Sequence, residues 1–131
     1  MSKENVELVR AAIDAVNTNH RDALVEMAAP GFEYDVSRAV GPWRGVYSLD
    51  EVPRVWEEFA GAWGSFRYEA DEFIETGEHV VTPFTNYLRG RDGIEVQARA
   101  AFLWTIRDGT IARLCFYQER QDALAAVGLS E

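Results

Sequence analysis

Tyr34 and Asp35 are the tyrosine–carboxylate neighbours of a short strand-like segment, and successive strand residues point to opposite faces, so only one can enter a pocket. If Tyr34 does, its hydroxyl would donate to a ligand oxygen, with Asp35 solvated or paired with Arg38 or Arg44. If Asp35 does, burial would raise its pKa and make it a candidate general base. Asn86 is an amide among apolar neighbours, and it must find a partner in backbone, water or a ligand oxygen. Trp43 either borders a pocket mouth or packs on Trp56 or Trp63. His20 and His79 are far apart and lack the neighbours of a zinc site. No metal and no cofactor is expected, since phosphate-cradling glycine patterns are also missing. Cys115 has no activating His or Lys beside it, which reads as an inert thiol.

These side chains need a scaffold. Val6, Val9, Ile13 and Val16 repeat at helical spacing from Glu4 to about Thr18. Asp22 opens a short second helix, with Leu24, Val25 and Met27, which Pro30 and Gly31 stop; Phe32 to Val36 is a strand. Ser48 and Glu51 at capping-box spacing, flanked by Tyr47 and Val52, start a third helix whose apolar stripe is Val52, Val55, Trp56, Phe59 and Trp63. Gly64 would stop it.

From Phe66 the period becomes two, with turns at Gly77-Glu78, Asp92-Gly93 and Asp108-Gly109. An antiparallel meander follows, with a bulge near Asp71 and Glu72. Alternation places Val36, Val80, Thr82, Phe84, Asn86 and Leu88 on one face with Ala98, Ala100, Phe102, Trp104, Leu114 and Phe116. The other face carries Val81, Tyr87, Ala101, Leu103, Cys115 and Tyr117. It would leave an apolar patch in water, and a homodimer through that sheet face is the simplest cover.

The 131 residues, 47% of them hydrophobic, suffice for one domain spanning 1–131. A net charge of −9 repels phosphate backbones and argues against nucleic acid or an anionic membrane as partner. One cysteine and no signal-like apolar segment after Met1 favour a cytoplasmic setting.

The order of helices, short strand, long meander and brief final helix (Gln121 to Val127) resembles the nuclear transport factor 2-like superfamily, especially its polyketide-cyclase-like (SnoaL-like) branch. The likeness rests on the helix ending in Asn17, on Gly41-Pro42-Trp43-Arg44-Gly45 and on FLWTIRDGTIARL from Phe102 to Leu114. Asp122-Ala123-Leu124 and Val127-Gly128-Leu129 add to it. The resemblance implies a cone-shaped α+β fold, a strongly curved antiparallel sheet with three N-terminal helices on its concave face, an enclosed pocket and commonly a homodimer. It does not bring a catalytic set. Where the steroid isomerase branch has its tyrosine, base and acid, this chain has Ala12, Val36 and Phe102, and Phe116 stands at a position the epoxide hydrolase branch needs.

Three functions follow as expectations. The first is an internal pocket for a small, largely apolar molecule, with Tyr34, Trp43 and Asn86 as contacts and Phe102, Trp104, Leu114 and Phe116 as wall. The second is a cofactor-free isomerase, cyclase or hydrolase using Asp35, and the third a dimeric interaction module with a filled cone.

Overall fold

A computed structural model describes residues 2–18, 20–39 and 43–129. Gly41 and Pro42 of the loop before the third helix lie outside the described residues. Helix α1 (Ser2–Asn17) buries Val9 and Ala12 completely, one helical turn apart on the sheet side. Helix α2 (Arg21–Met27) has Asp22 in its first turn, and His20 rather than Asp22 is its N-cap. It ends at Met27, before the expected stop. Pro30 and Gly31 instead lie within strand β1 (Ala28–Asp35), at a shift of register where Gly31 takes φ +81°.

Four features of the sheet depart from expectation. Strand β2 (Val46–Ser48) pairs antiparallel with β1, setting Tyr34 opposite Tyr47. Helix α3 (Val52–Ala62) comes after it, so the N-terminal helices are a pair and not three. Glu51 accepts the Ser48 N–H at 2.9 Å, but this pair precedes the helix instead of capping it: the N-cap of α3 is Glu51 and not Ser48, and it makes no side-chain cap hydrogen bond. Strands β3 (Ser65–Ala70) and β4 (Ile74–Thr76) both pair with β5 (His79–Arg89), so the expected bulge at Asp71 is a full break. Strands β6 (Glu95–Arg107) and β7 (Thr110–Tyr117) complete the meander. Asp108 and Gly109 both have positive φ, as a tight primed hairpin turn requires.

β1 runs parallel to β7, which makes the sheet mixed rather than antiparallel, in the order β2-β1-β7-β6-β5-β3. The strongly curved sheet is a second correction: the seven strands form an open sheet that is not strongly curled, with β2 at one edge. Parallel pairing of β1 has no local signal, because it joins Tyr34 to Leu114 across most of the chain.

Each face of the sheet has its own core. On one, Val9, Ala12 and Val52 from the helices pack on Tyr34, Val80, Phe84, Phe102, Trp104 and Leu114. On the other, helix α4 (Arg120–Ala126) lays Ala123 and Leu124 over Val81, Ala101, Leu103, Cys115 and Tyr117. Five of the six side chains of the patch that called for a homodimer through the sheet face are therefore buried within the chain, while Tyr87 stays half-buried under Arg67. Among the described residues, no helix is long and apolar enough to cross a membrane.

Asn17 ties the end of α1 to β3. Its Nδ2 donates to the Tyr68 carbonyl at 2.7 Å, and its Oδ1 accepts the Tyr68 N–H at 2.8 Å, so the amide stands in for a strand partner. Asn17→Ala is expected to lower the unfolding free energy by about 1–2 kcal/mol, read by urea denaturation, because two half-buried backbone groups lose their partner. No change would mean that water replaces the amide without cost.

Candidate functional site

A cavity of about 390 Å³ lies between α3, the segment after β1 and the helix-covered face of the sheet. Its wall is set by two periodicities. Strands contribute Tyr34 and Tyr68 with Phe84, Asn86, Phe102 and Phe116, all on the same side by alternation. Helix α3 and its C-cap contribute Trp56, Phe59 and Trp63. Trp43 completes the set: nine of the described lining residues are aromatic. Their rings meet edge to face, as in Trp43 on Phe59 at 5.3 Å and Tyr34 on Trp56 at 5.8 Å, while Phe84 and Phe102 stack at 4.5 Å.

Polar groups on this wall are few and uncharged at neutral pH, apart from Arg99 at the exposed rim. Burial pushes the Tyr34 hydroxyl up to about 12, against a smaller opposing effect of the Trp56 indole. Burial, with neighbouring Tyr34, also raises Tyr68 well above the ordinary range for tyrosine. Both phenols therefore stay protonated at neutral pH and act as donors or acceptors rather than bases. Asn86 is 7% exposed, and its Oδ1 is buried with no hydrogen-bond partner. Among the described residues, no carboxylate or imidazole lines the cavity.

Of the residues singled out in the sequence, Tyr34, Trp43, Asn86, Phe102 and Phe116 meet at this cavity. Trp104 and Leu114 do not line it. They border a separate apolar void of about 30 Å³ beneath α3, and the Trp104 Nε1 donates to the Thr82 hydroxyl at 2.9 Å. Trp56, Phe59 and Trp63 had the spacing of a core stripe, and that stripe is also the cavity roof. Tyr68 carried no separate signal, whereas Gln118 follows the alternation of β7 to the rim.

Asp35 faces the other side of the sheet. Its carboxylate accepts the Ser37 N–H at 2.9 Å and the Ser37 hydroxyl at 2.6 Å, and pairs with Arg113 at 2.5 Å and Arg38 at 3.7 Å. Burial raises its pKa, but the Ser37 hydrogen bonds and the two guanidinium groups outweigh burial and hold it below the ordinary value. Such a carboxylate is a stable anion, and it is separated by the sheet from the cavity. Arg38 lies over the Tyr117 ring at 4.6 Å and donates to Cys115 Sγ at 3.3 Å, while Gln118 Nε2 donates to the Arg38 carbonyl at 2.8 Å. Burial is also the main cause that pushes the Cys115 thiol up, in keeping with an unreactive role.

Residues 9–114 match the family described as SnoaL-like domain. No curated protein matches the sequence. Solved structures share the fold at low identity. TerC co-crystallised with polyporic acid superposes with a TM-score of 0.79 at 19% identity, covering 88% of this chain and 92% of that one. A nuclear transport factor 2-like protein of unknown function from Burkholderia pseudomallei gives 0.78 at 20% identity, covering 98% and 99%. A putative SnoaL-like polyketide cyclase from Jannaschia sp. gives 0.76 at 16% identity, covering 97% and 91%.

Proposed function

Since the chain belongs to the SnoaL-like domain family, we propose that it binds a small, largely apolar, oxygen-bearing molecule in the aromatic cavity. One observation carries the reading: the buried Asn86 Oδ1 has no protein partner on a wall otherwise made of rings. A buried polar atom left unpaired costs about 1–3 kcal/mol, and a ligand hydroxyl or N–H would recover that cost. Tyr34 and Tyr68, both protonated, would donate to a ligand carbonyl or ether oxygen. The volume of about 390 Å³ suits a ligand of two or three fused rings. The presence of polyporic acid in TerC supports the reading by fold analogy alone.

The enzyme reading with Asp35 as general base finds less support, because a base must reach the proton it removes and Asp35 lies across the sheet. The filled-cone module is disfavoured by the size of the cavity. A cytoplasmic location stays an expectation from the sequence.

Titration of the tryptophan fluorescence with 2-naphthol and with naphthalene tests the proposal. Trp43, Trp56 and Trp63 line the cavity, so an aromatic occupant should quench them. Asn86→Leu is expected to weaken 2-naphthol by about tenfold, the equivalent of one net hydrogen bond, and to leave naphthalene unchanged. The variant should be at least as stable as the parent, because an unpaired buried carbonyl oxygen is removed. Equal affinity of parent and variant for 2-naphthol would take Asn86 out of the site, and absence of quenching by either probe would count against the cavity as a binding site for fused rings.

A further inference from the structure

Three hollows border one side chain. Trp56 lines the cavity of about 390 Å³, a slot of about 210 Å³ on the α1 side of α3, and the void of about 30 Å³ beneath the helix. Among the described residues it alone lines both the cavity and the slot. Helical geometry explains this position. Val55 and Phe59, four residues apart, face the cavity, and Trp56 and Ala60 form the neighbouring stripe of α3, so the indole stands between the two spaces.

A protein interior normally surrounds so large a ring with close neighbours. Here one edge is held: the indole N–H is turned to the Tyr34 hydroxyl, and the two rings meet edge to face at 5.8 Å. Elsewhere the ring borders hollows, and Trp56 is only half-buried. Helix α3 makes few close backbone approaches to any other element, so side chains set its distance from the sheet. A change of Trp56 rotamer therefore meets little steric resistance.

The slot passes Val16 and Asn17 at the end of α1, Leu24 of α2, Ala60 of α3, and Ser65 and Phe66 at the start of β3. No charged side chain is among the described residues that line it, and the Asn17 amide is already engaged by the Tyr68 backbone. At about 210 Å³ it lies below the usual size of a ligand pocket, so it suits an appendage and not a whole ligand.

We propose that Trp56 is a movable partition and that cavity and slot form one elongated site, which takes a fused-ring head in the cavity and an unbranched alkyl tail in the slot. The proposal rests on the reading of the aromatic cavity as a binding site, and it makes Trp56 the residue that selects tail shape. A straight chain passes beside a displaced indole. A branched one of equal carbon count meets the ring face.

Isothermal titration calorimetry with 2-naphthol, 6-butyl-2-naphthol and 6-tert-butyl-2-naphthol tests this. The two alkyl isomers carry the same number of carbons, so their difference reads shape and not hydrophobicity. The parent should bind the straight isomer at least about tenfold more tightly than the branched one. Trp56→Ala removes the partition and should bring the two within about threefold of each other. Ala60→Phe fills the slot from its far side and should do the same by excluding both tails. Circular dichroism confirms that each variant folds, and either folded variant suffices. Equal binding of the isomers by the parent overturns the proposal, as does a preference for the straight isomer that persists in a folded variant. If 2-naphthol binds and the isomers do not differ, only the elongated site is lost; if none of the three binds, the reading of the cavity falls and this proposal with it.

Discussion

Asp35→Ala lowers the unfolding free energy at pH 7 by an expected 2–3 kcal/mol, roughly, measured by urea denaturation. The value lies below the usual cost of breaking a buried ion pair because the Arg113 side chain is 40% exposed and water solvates it once the carboxylate is gone. What is lost is more than charge: the Ser37 N–H and hydroxyl lose their acceptor, and Arg38 loses one of its anchors. The pH dependence has a definite sign. The folded pKa is lowered from an ordinary value of 3.8, so the ionised form contributes stability that is fully present above that value and is lost as pH falls through the folded pKa. Parent and Asp35→Asn stabilities should therefore converge as the pH is taken below 3.8 and differ most at neutral pH. A constant difference down to the acid limit would mean that packing, not ionisation, sets the cost.

The same variant reaches the cavity without touching it. Asp35 and its partners hold the start of the segment that carries Val36, Ala39 and Trp43 along the cavity border, where the Val36 N–H also donates to the Gly45 carbonyl at 2.8 Å. Asp35→Asn is thus expected to weaken 2-naphthol about threefold through loss of that border, a small effect beside the stability change.

How much of this was legible in the sequence differs by feature, for physical reasons. Period-two alternation placed Phe84, Asn86, Phe102 and Phe116 on one side, because alternation is a local property of extended backbone. The same alternation could not say which of Tyr34 and Asp35 faces inward. That choice depends on parallel pairing with β7 and on Arg113, which lies 78 positions away from Asp35. Trp56 and Phe59 illustrate a different limit: a helical apolar stripe has the same spacing whether it fills a core or roofs a cavity. β2 has three residues and is too short to carry a period. The role of α4 was missed because a brief terminal helix does not reveal which surface it covers, yet Ala123 and Leu124 cover most of the patch that had argued for a sheet-face dimer.

Phe102→Ala is expected to cost more stability than the other variants proposed. The Phe102 ring stacks on Phe84 at 4.5 Å and meets Trp104 at 5.9 Å and Phe116 at 6.1 Å, so it joins the cavity wall to the apolar core below. Phe102→Ala removes the ring from a residue only 6% exposed, and an unfilled hole of that size costs about 3–5 kcal/mol. The loss should fall at the small end of that range if the hole opens into the existing cavity, since water or ligand can then enter it, and at the large end if it stays sealed. Thermal unfolding with and without probe separates the cases. An opened hole lengthens the cavity toward Trp104, so a three-ring probe such as anthracene should stabilise the variant more than it stabilises the parent. A sealed hole would leave the preference between naphthalene and anthracene as in the parent. Phe102→Leu keeps most of the volume and should cost about 1–1.5 kcal/mol with no change in that preference, which separates loss of packing from enlargement of the site.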